Sequence, residues 1–156
     1  MERNFDRDGQ KYEERIVQIS RVSKKTKGGN KIRFATLVVV GDKNGNVGLG
    51  LGKSADVSTS IQKAIIYAKK RMISVPIVNH TIPFSIVVKE GAARVMLKPA
   101  PLGTGIIAGG AVRSVVEVAG IRNISSKILG TSNKASNVYA TFEALRILGK
   151  QGGAKQ

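Results

Sequence analysis

The sequence is short of most residue types that carry chemistry. It has no cysteine, which excludes disulfides and thiolate metal sites. Its single histidine, His80, stands between Pro76 and Pro83 with no thiol to pair with, so a satisfied or solvent-facing imidazole is expected rather than a general base. Aromatic residues make up 4% and are not interleaved with basic ones, against the stacking platforms that hold single strands. No apolar run exceeds about six residues, far short of the ~20 that a membrane helix needs. The opening MERNFDRDGQKYEER is charged and lacks the apolar core of a signal peptide, so a soluble, intracellular, cytoplasmic protein is expected. Acids are scarce too, and the ten present form no D-x-D or H-E-x-x-H arrangement. Glu13-Glu14 reads as a solvated pair.

Against those ten acids stand 26 Lys and Arg, a net charge of +16 on 156 residues. A polyanionic partner is the first inference. The excess is dispersed: sixteen basic and seven acidic residues fall in Met1–Met72, ten and three in Ile73–Gln156. That suits a globular protein embedded in nucleic acid better than a neutral fold with a basic tail. With 42% hydrophobic residues the chain can build a core. Between Glu14 and Asp42 there is no acid, while Arg15, Arg21, Lys24, Lys25, Lys27, Lys31 and Arg33 all lie there.

Periodicity divides the chain into two α+β units, each a small α/β sandwich. Residues 1–14 read as a flexible arm. A first domain over 15–75 is β-β-β-α. Its strands are Arg15–Val22, Ile32–Val40 and Val47–Leu51, with a turn over Ser23–Asn30 and a type I′ hairpin signal at Asn44-Gly45. Ser54 or Asp56 caps a helix whose core stripe is Val57, Ile61, Ile65, Ala68 and Met72. A linker over 76–83 contains both central prolines. A second domain over 84–148 is β-β-α-β-α, with strands Phe84–Lys89, Arg94–Lys98 and Asn123–Leu129 and helices Ala111–Ala119 and 135–148. Val138, Phe142, Leu145 and Leu148 line the core face of the last helix. The tail over 149–156 is expected to be loose.

Two glycine-rich stretches invite a nucleotide reading. Gly48-Leu49-Gly50-Leu51-Gly52-Lys53-Ser54 fails the P-loop pattern, because the first glycine would fall on Val47. One face of that strand has no side chains, so close approach of another backbone is expected. Gly103-Thr104-Gly105-Ile106-Ile107-Ala108 fits the looser G-x-G-x-x-A form. A dinucleotide site, however, wants an acid about twenty residues on, and the nearest acid is Glu117. What survives is a helix N-terminus able to meet a phosphate.

The residues then become specific. Lys27-Gly28-Gly29, Phe34, Val40-Gly41-Asp42, Asn44-Gly45, Val47-Gly48, Gly50 and Gly52-Lys53 resemble the signature of the small-ribosomal-subunit protein five family, in its bacterial form. Gly103 to Gly110, Arg113, Glu117-Val118-Ala119-Gly120 and Asn137 are similar to its second-domain pattern. The resemblance spans roughly Glu14 to Leu148. It implies a first domain like the double-stranded-RNA-binding fold without its first helix, and a second of the family's own type, shared with some small-molecule kinases. It further implies a structural constituent of the small subunit that binds ribosomal RNA near the head–body junction. Such a protein touches ribosomal proteins four and eight, borders the messenger-RNA entrance and influences decoding accuracy. The tip at Arg21–Lys31 corresponds to the family's RNA-inserted loop, near the spectinomycin site. Pro101-Leu102 and Lys134 depart from the family's usual Ser-Glu and Pro.

The expected RNA-facing set is Arg15, Arg21, Ser23, Lys24, Lys25, Thr26, Lys27, Gly28, Gly29, Lys31 and Arg33 on the first hairpin. Lys53, Lys63 and Lys70 extend it at the first helix, with Gly103, Thr104, Gly105, Arg113, Asn133 and Lys134 in the second domain. Arg94, Arg122 and Asn123 are expected to face protein partners. No catalytic residue, metal, cofactor, membrane contact or self-association is expected. Two other readings stand beside this one: a phosphotransferase using the Gly103–Gly110 loop, and a free-standing double-stranded-RNA regulator.

Overall fold

A computed structural model describes residues 12–153. Residues 1–11 of the expected arm and 154–156 of the expected tail lie outside the described residues, as do the side chains of Lys24 and Gln151. The first sheet holds β1 (Glu13–Thr26), β2 (Gly29–Gly41), β3 (Asn46–Ser54) and the short β4 (Ile73–Ser74), in that order and antiparallel throughout. The near-continuous apolar run in β2 has a direct cause: Leu37 to Val40 are at most 2% exposed because both faces are covered. Val38 and Val40 meet Ala64 and Ala68 of α1 (Val57–Lys70). Leu37 and Val39 belong to a larger core shared with the second half.

The glycines of β3 place α1. Gly48, Gly50 and Gly52 face it at alternate positions, and a Cβ on each would overlap the carbonyl oxygen of Ala68, Ala64 and Ser60 respectively. A step of two along the strand therefore matches a step of four along the helix, backbone against backbone. The buried stripe of α1 is consequently Ser60, Ala64 and Ala68, not the expected Val57, Ile61, Ile65 and Met72, which are only half-buried. Larger side chains could not fit where helix and strand come this close. A buried hydrogen bond between the hydroxyls of Thr36 and Ser60, 2.8 Å, pins β2 to the same helix.

Several expected boundaries are corrected. The hairpin's eight-residue turn over Ser23–Asn30 is strand on both sides: Ser23, Lys24, Lys25 and Thr26 pair with Ile32, Lys31, Asn30 and Gly29, leaving Lys27 and Gly28 as the turn. Asn44-Gly45 is not a type I′ pair, because Lys43 and Gly45 have positive φ and Asn44 does not. Asp42 organises the loop instead: its carboxylate accepts from the backbone N–H of Asn44 and Asn46 and from the Asn46 side chain. Glu13 and Glu14 lie in β1, and Glu13 pairs with Lys43 at 2.9 Å rather than with solvent.

The second sheet has the order β5-β6-β8-β7, from β5 (Ile86–Glu90), β6 (Ala93–Pro99), β7 (Ile106–Ile107) and β8 (Ile124–Ile128). The short β7 was absent from the expected pattern; it runs parallel to β8 across α2 (Gly110–Ala119). α3 runs from Lys134 to Gly153, so residues 149–153 continue the helix rather than forming a loose tail. Val138, Leu145 and Leu148 are fully buried as expected, with Phe142 half-buried. Residues 76–83 run largely along the surface but are anchored at two points: Ile82 is 1% exposed, and the His80 carbonyl accepts from the N–H groups of Arg122 and Asn123.

The two halves are joined through backbone. The last carbonyls of α2 have no partner within the helix, and the 42–45 loop supplies one. Lys43 N–H donates to Val118 O at 3.0 Å and Gly45 N–H to Ala119 O at 2.9 Å. Gly120 ends α2 in the left-handed region at φ 95°, where an added Cβ would strike the Lys43 carbonyl. One hydrophobic cluster runs through the joint, from Leu37, Val39 and Val47 to Val112, Val115, Val118 and Leu145.

Candidate nucleic-acid interface

β3 supports the first hairpin only as far as Phe34, which pairs with Ser54. Beyond that point residues 22–33 continue as a two-stranded ribbon. Its backbone twist and strand pairing carry it outward; its side chains have little to pack on. Val22 and Ile32 are 48% and 41% exposed. At the end, the Thr26 hydroxyl donates to Gly29 O at 2.8 Å and closes the turn. Lys25, Lys27, Lys31 and Arg33 are exposed and, among the described side chains, make no ion pair. Lys24 and Lys31 are direct cross-strand partners, an arrangement of like charges that disfavours the pairing. The ribbon thus concentrates one sign of charge and, among the described residues, neutralises none of it.

The other end of β1 is built differently. An open cleft of about 360 Å³ is lined by Arg15, Lys43, Ile106, Arg113, Glu117, Gly120, Ile121 and Arg122. Glu117 pairs with Arg15 across the joint between the halves, and with Arg113 one turn away on α2 at 3.0 Å. Four cations share the cleft with one carboxylate. Eleven residues at about 3.3 Å each separate this cleft from Thr26, roughly 35 Å along β1. Arg15 is therefore a brace between the two halves, half-buried, and not part of the ribbon.

The two halves match two family models, described as the N-terminal domain of ribosomal protein S5 over residues 12–76 and its C-terminal domain over 88–150. The chain belongs to the ribosomal protein S5 family. It is 51% identical over 139 residues to the small ribosomal subunit protein uS5 of Thermotoga neapolitana, covering 89% of this chain and 78% of that protein. The uS5 proteins of Thermotoga maritima and Thermotoga petrophila are 49% and 50% identical over the same shares. This family is structural, not enzymatic.

In this S5-family fold the remaining expected residues fall into separate places. Lys53, Lys63 and Lys70 are exposed on β3 and α1, and the Lys63 ammonium reaches the Lys53 carbonyl at 3.5 Å. Asn133 caps α3, its side-chain oxygen accepting from Ala135 N–H at 3.0 Å, with Lys134 exposed beside it. The start of α3 packs near the root of the ribbon: Ala135 and Tyr139 line a small pocket with Gln18, Ser20, Ala35, Leu37 and Leu51. Two backbone donors of the largely exposed Gly103–Gly105 loop are engaged within the chain. Thr104 N–H donates to Pro101 O at 3.2 Å, and Gly105 N–H to the Asn123 side chain at 3.0 Å. Asn123, expected on a partner surface, is 5% exposed and serves as the internal latch of that loop. Arg122 lines the cleft, while Arg94 lies on β6, away from both sites.

Sequence reasoning missed Lys43. Its signal was positional: it follows Asp42 in the loop that caps α2, which only the joint brings beside Arg113 and Arg122. Among the described residues no helix is long and apolar enough to cross a membrane, and no cluster of His, Asp or Glu suits a metal ion.

Proposed function

We propose that this structural constituent of the small ribosomal subunit holds ribosomal RNA by its basic ribbon, with the cationic cleft as a contact at the opposite end of β1. The observation that carries the reading is the ribbon's unneutralised charge, with lysines directly opposite one another and no acid from Arg15 to Gly41. Phosphates are the partner that such an array lacks, and A-form RNA offers a protein mainly phosphates and 2′-hydroxyls. The scarcity of aromatics agrees with backbone contact rather than base stacking. A location in the cytoplasm follows from that of the subunit. Contact with ribosomal proteins four and eight, proximity to the messenger-RNA entrance, head–body bracing and an influence on decoding accuracy are part of the same proposal. They rest on the family resemblance.

Lys25, Lys27 and Lys31 changed together to Glu should leave the thermal unfolding of the chain nearly unchanged. The same change should weaken binding to small-subunit ribosomal RNA on the order of a hundredfold and flatten its salt dependence. Native-like RNA affinity in that triple variant would end the reading. Cosedimentation with small subunits separates it from a free-standing double-stranded-RNA regulator, which would remain unbound.

A further inference from the structure

Among the described residues, nothing covers one side of the second sheet. α2 and α3 cover the face that carries Val88, Val95, Leu97 and Ile124, all buried. Strand alternation sends the intervening residues to the other face. There the register sets Lys89 opposite Arg94, Met96 opposite Lys127 and Lys98 opposite Ser125. All four cations are exposed, and among the described residues none makes an ion pair. Val87 and Ile107 on the same face are 50% and 54% exposed. The hairpin's acid, Glu90, has the opposite parity and pairs in register with buried Ala93. It lies towards α3, where Arg146 is held charged first by its hydrogen bond to Glu143, then by the charge of Glu143, with Glu90 adding to it.

We propose that this bare face is a second nucleic-acid platform that seats the phosphate backbone of a double-stranded RNA segment across β5, β6 and β8. It deepens the ribosomal-RNA reading and rests on it. The cations form a grid rather than a row: neighbouring strands are about 4.8 Å apart, and Arg94 and Lys98 are about 13 Å apart along β6. Protein interfaces deplete charge at their centre and anchor on aromatic side chains. Here Lys127 and Arg94 flank Met96 at the centre, and none of these face positions is aromatic. Single-stranded bases would want aromatic partners as well, which leaves a phosphate backbone as the fitting occupant.

Amine acetylation of the full chain, alone and bound to a transcript of small-subunit ribosomal RNA with no other protein present, tests the proposal. Lys89, Lys98 and Lys127 become shielded in the complex, as do Lys25, Lys27 and Lys31 of the ribbon. Replacing Lys89, Arg94, Lys98 and Lys127 with Gln lowers affinity for the same transcript about tenfold at ~100 mM salt and flattens the salt slope by about 3. If the ribbon lysines are shielded and those of the sheet react as in the free chain, the platform is overturned and the ribbon reading stands. If neither set is shielded, the ribosomal-RNA reading itself fails. Sheet lysines shielded only in assembled subunits would assign the face to a protein neighbour and also overturn the platform. A quadruple variant that does not fold leaves the acetylation result, obtained on the unaltered chain, to decide.

Discussion

The ribbon and the joint are two ends of one strand, and they treat charge in opposite ways. At the joint, Arg15, Arg113 and Lys43 are each answered by Glu117 or Glu13, and backbone donors of one half cap the helix of the other. On the ribbon, every described cation is unanswered, and the strands pair without a third to support them. An isolated two-stranded hairpin is marginally stable in water. The body must therefore hold the ribbon's root while the ribbon's own residues serve something outside the chain. Charge that holds the two halves together has its partner within the chain, whereas the described cations of the ribbon have none.

Three perturbations would break or sharpen that contrast. The largest is Gly50→Val in β3, which forces side-chain atoms into the Ala64 carbonyl and pushes α1 off the sheet. A loss of about 3 kcal/mol is expected, read as a melting temperature lower by roughly 6–12 °C. Because one core runs through both halves, both sheets should unfold in a single calorimetric transition. Next is Glu117→Gln, which leaves Arg15 half-buried with only Glu13 nearby, 3.9 Å away. A cost of about 1–2 kcal/mol is expected from the unpaired guanidinium, measured by urea unfolding, with the ribbon's RNA affinity unchanged. The smallest is Lys31→Glu, which sets an acid opposite Lys24. It should stabilise the ribbon by about 0.5 kcal/mol, seen as slower amide exchange near the turn, while RNA affinity falls. A variant that gained both stability and affinity would show that the like-charge pair has no binding role.

Much of this was legible in the residues. The acid-free interval with seven cations announced the ribbon, and the side-chain-free face of Gly48, Gly50 and Gly52 announced a close backbone contact. Less legible was anything set by contact rather than pattern. The α1 stripe was misplaced because apolar spacing favoured Ile61 and Ile65, whereas the closeness of β3 selects Ser60 and Ala64. The extent of the ribbon was underestimated because Lys, Ser and Thr resemble turn residues in sequence; backbone hydrogen bonds across the hairpin keep them in strand. Asn123 reads as a surface polar residue in sequence, but in the fold its side chain accepts from the Gly105 N–H.

By itself, the sequence determined the sign and location of the charge, the two-unit α+β order, the refusal of a P-loop and the family. All of these follow from composition and short-range spacing, which need no partner in space. The tertiary structure alone decided that the two units share one core and that the Gly41–Gly45 and Val118–Gly120 motifs meet. It also decided that Arg15 braces the joint and that Lys89, Arg94, Lys98 and Lys127 stand together on a bare face. Those are long-range pairings, set by strand register and by which helix covers which face, and register becomes visible only when the strands are side by side.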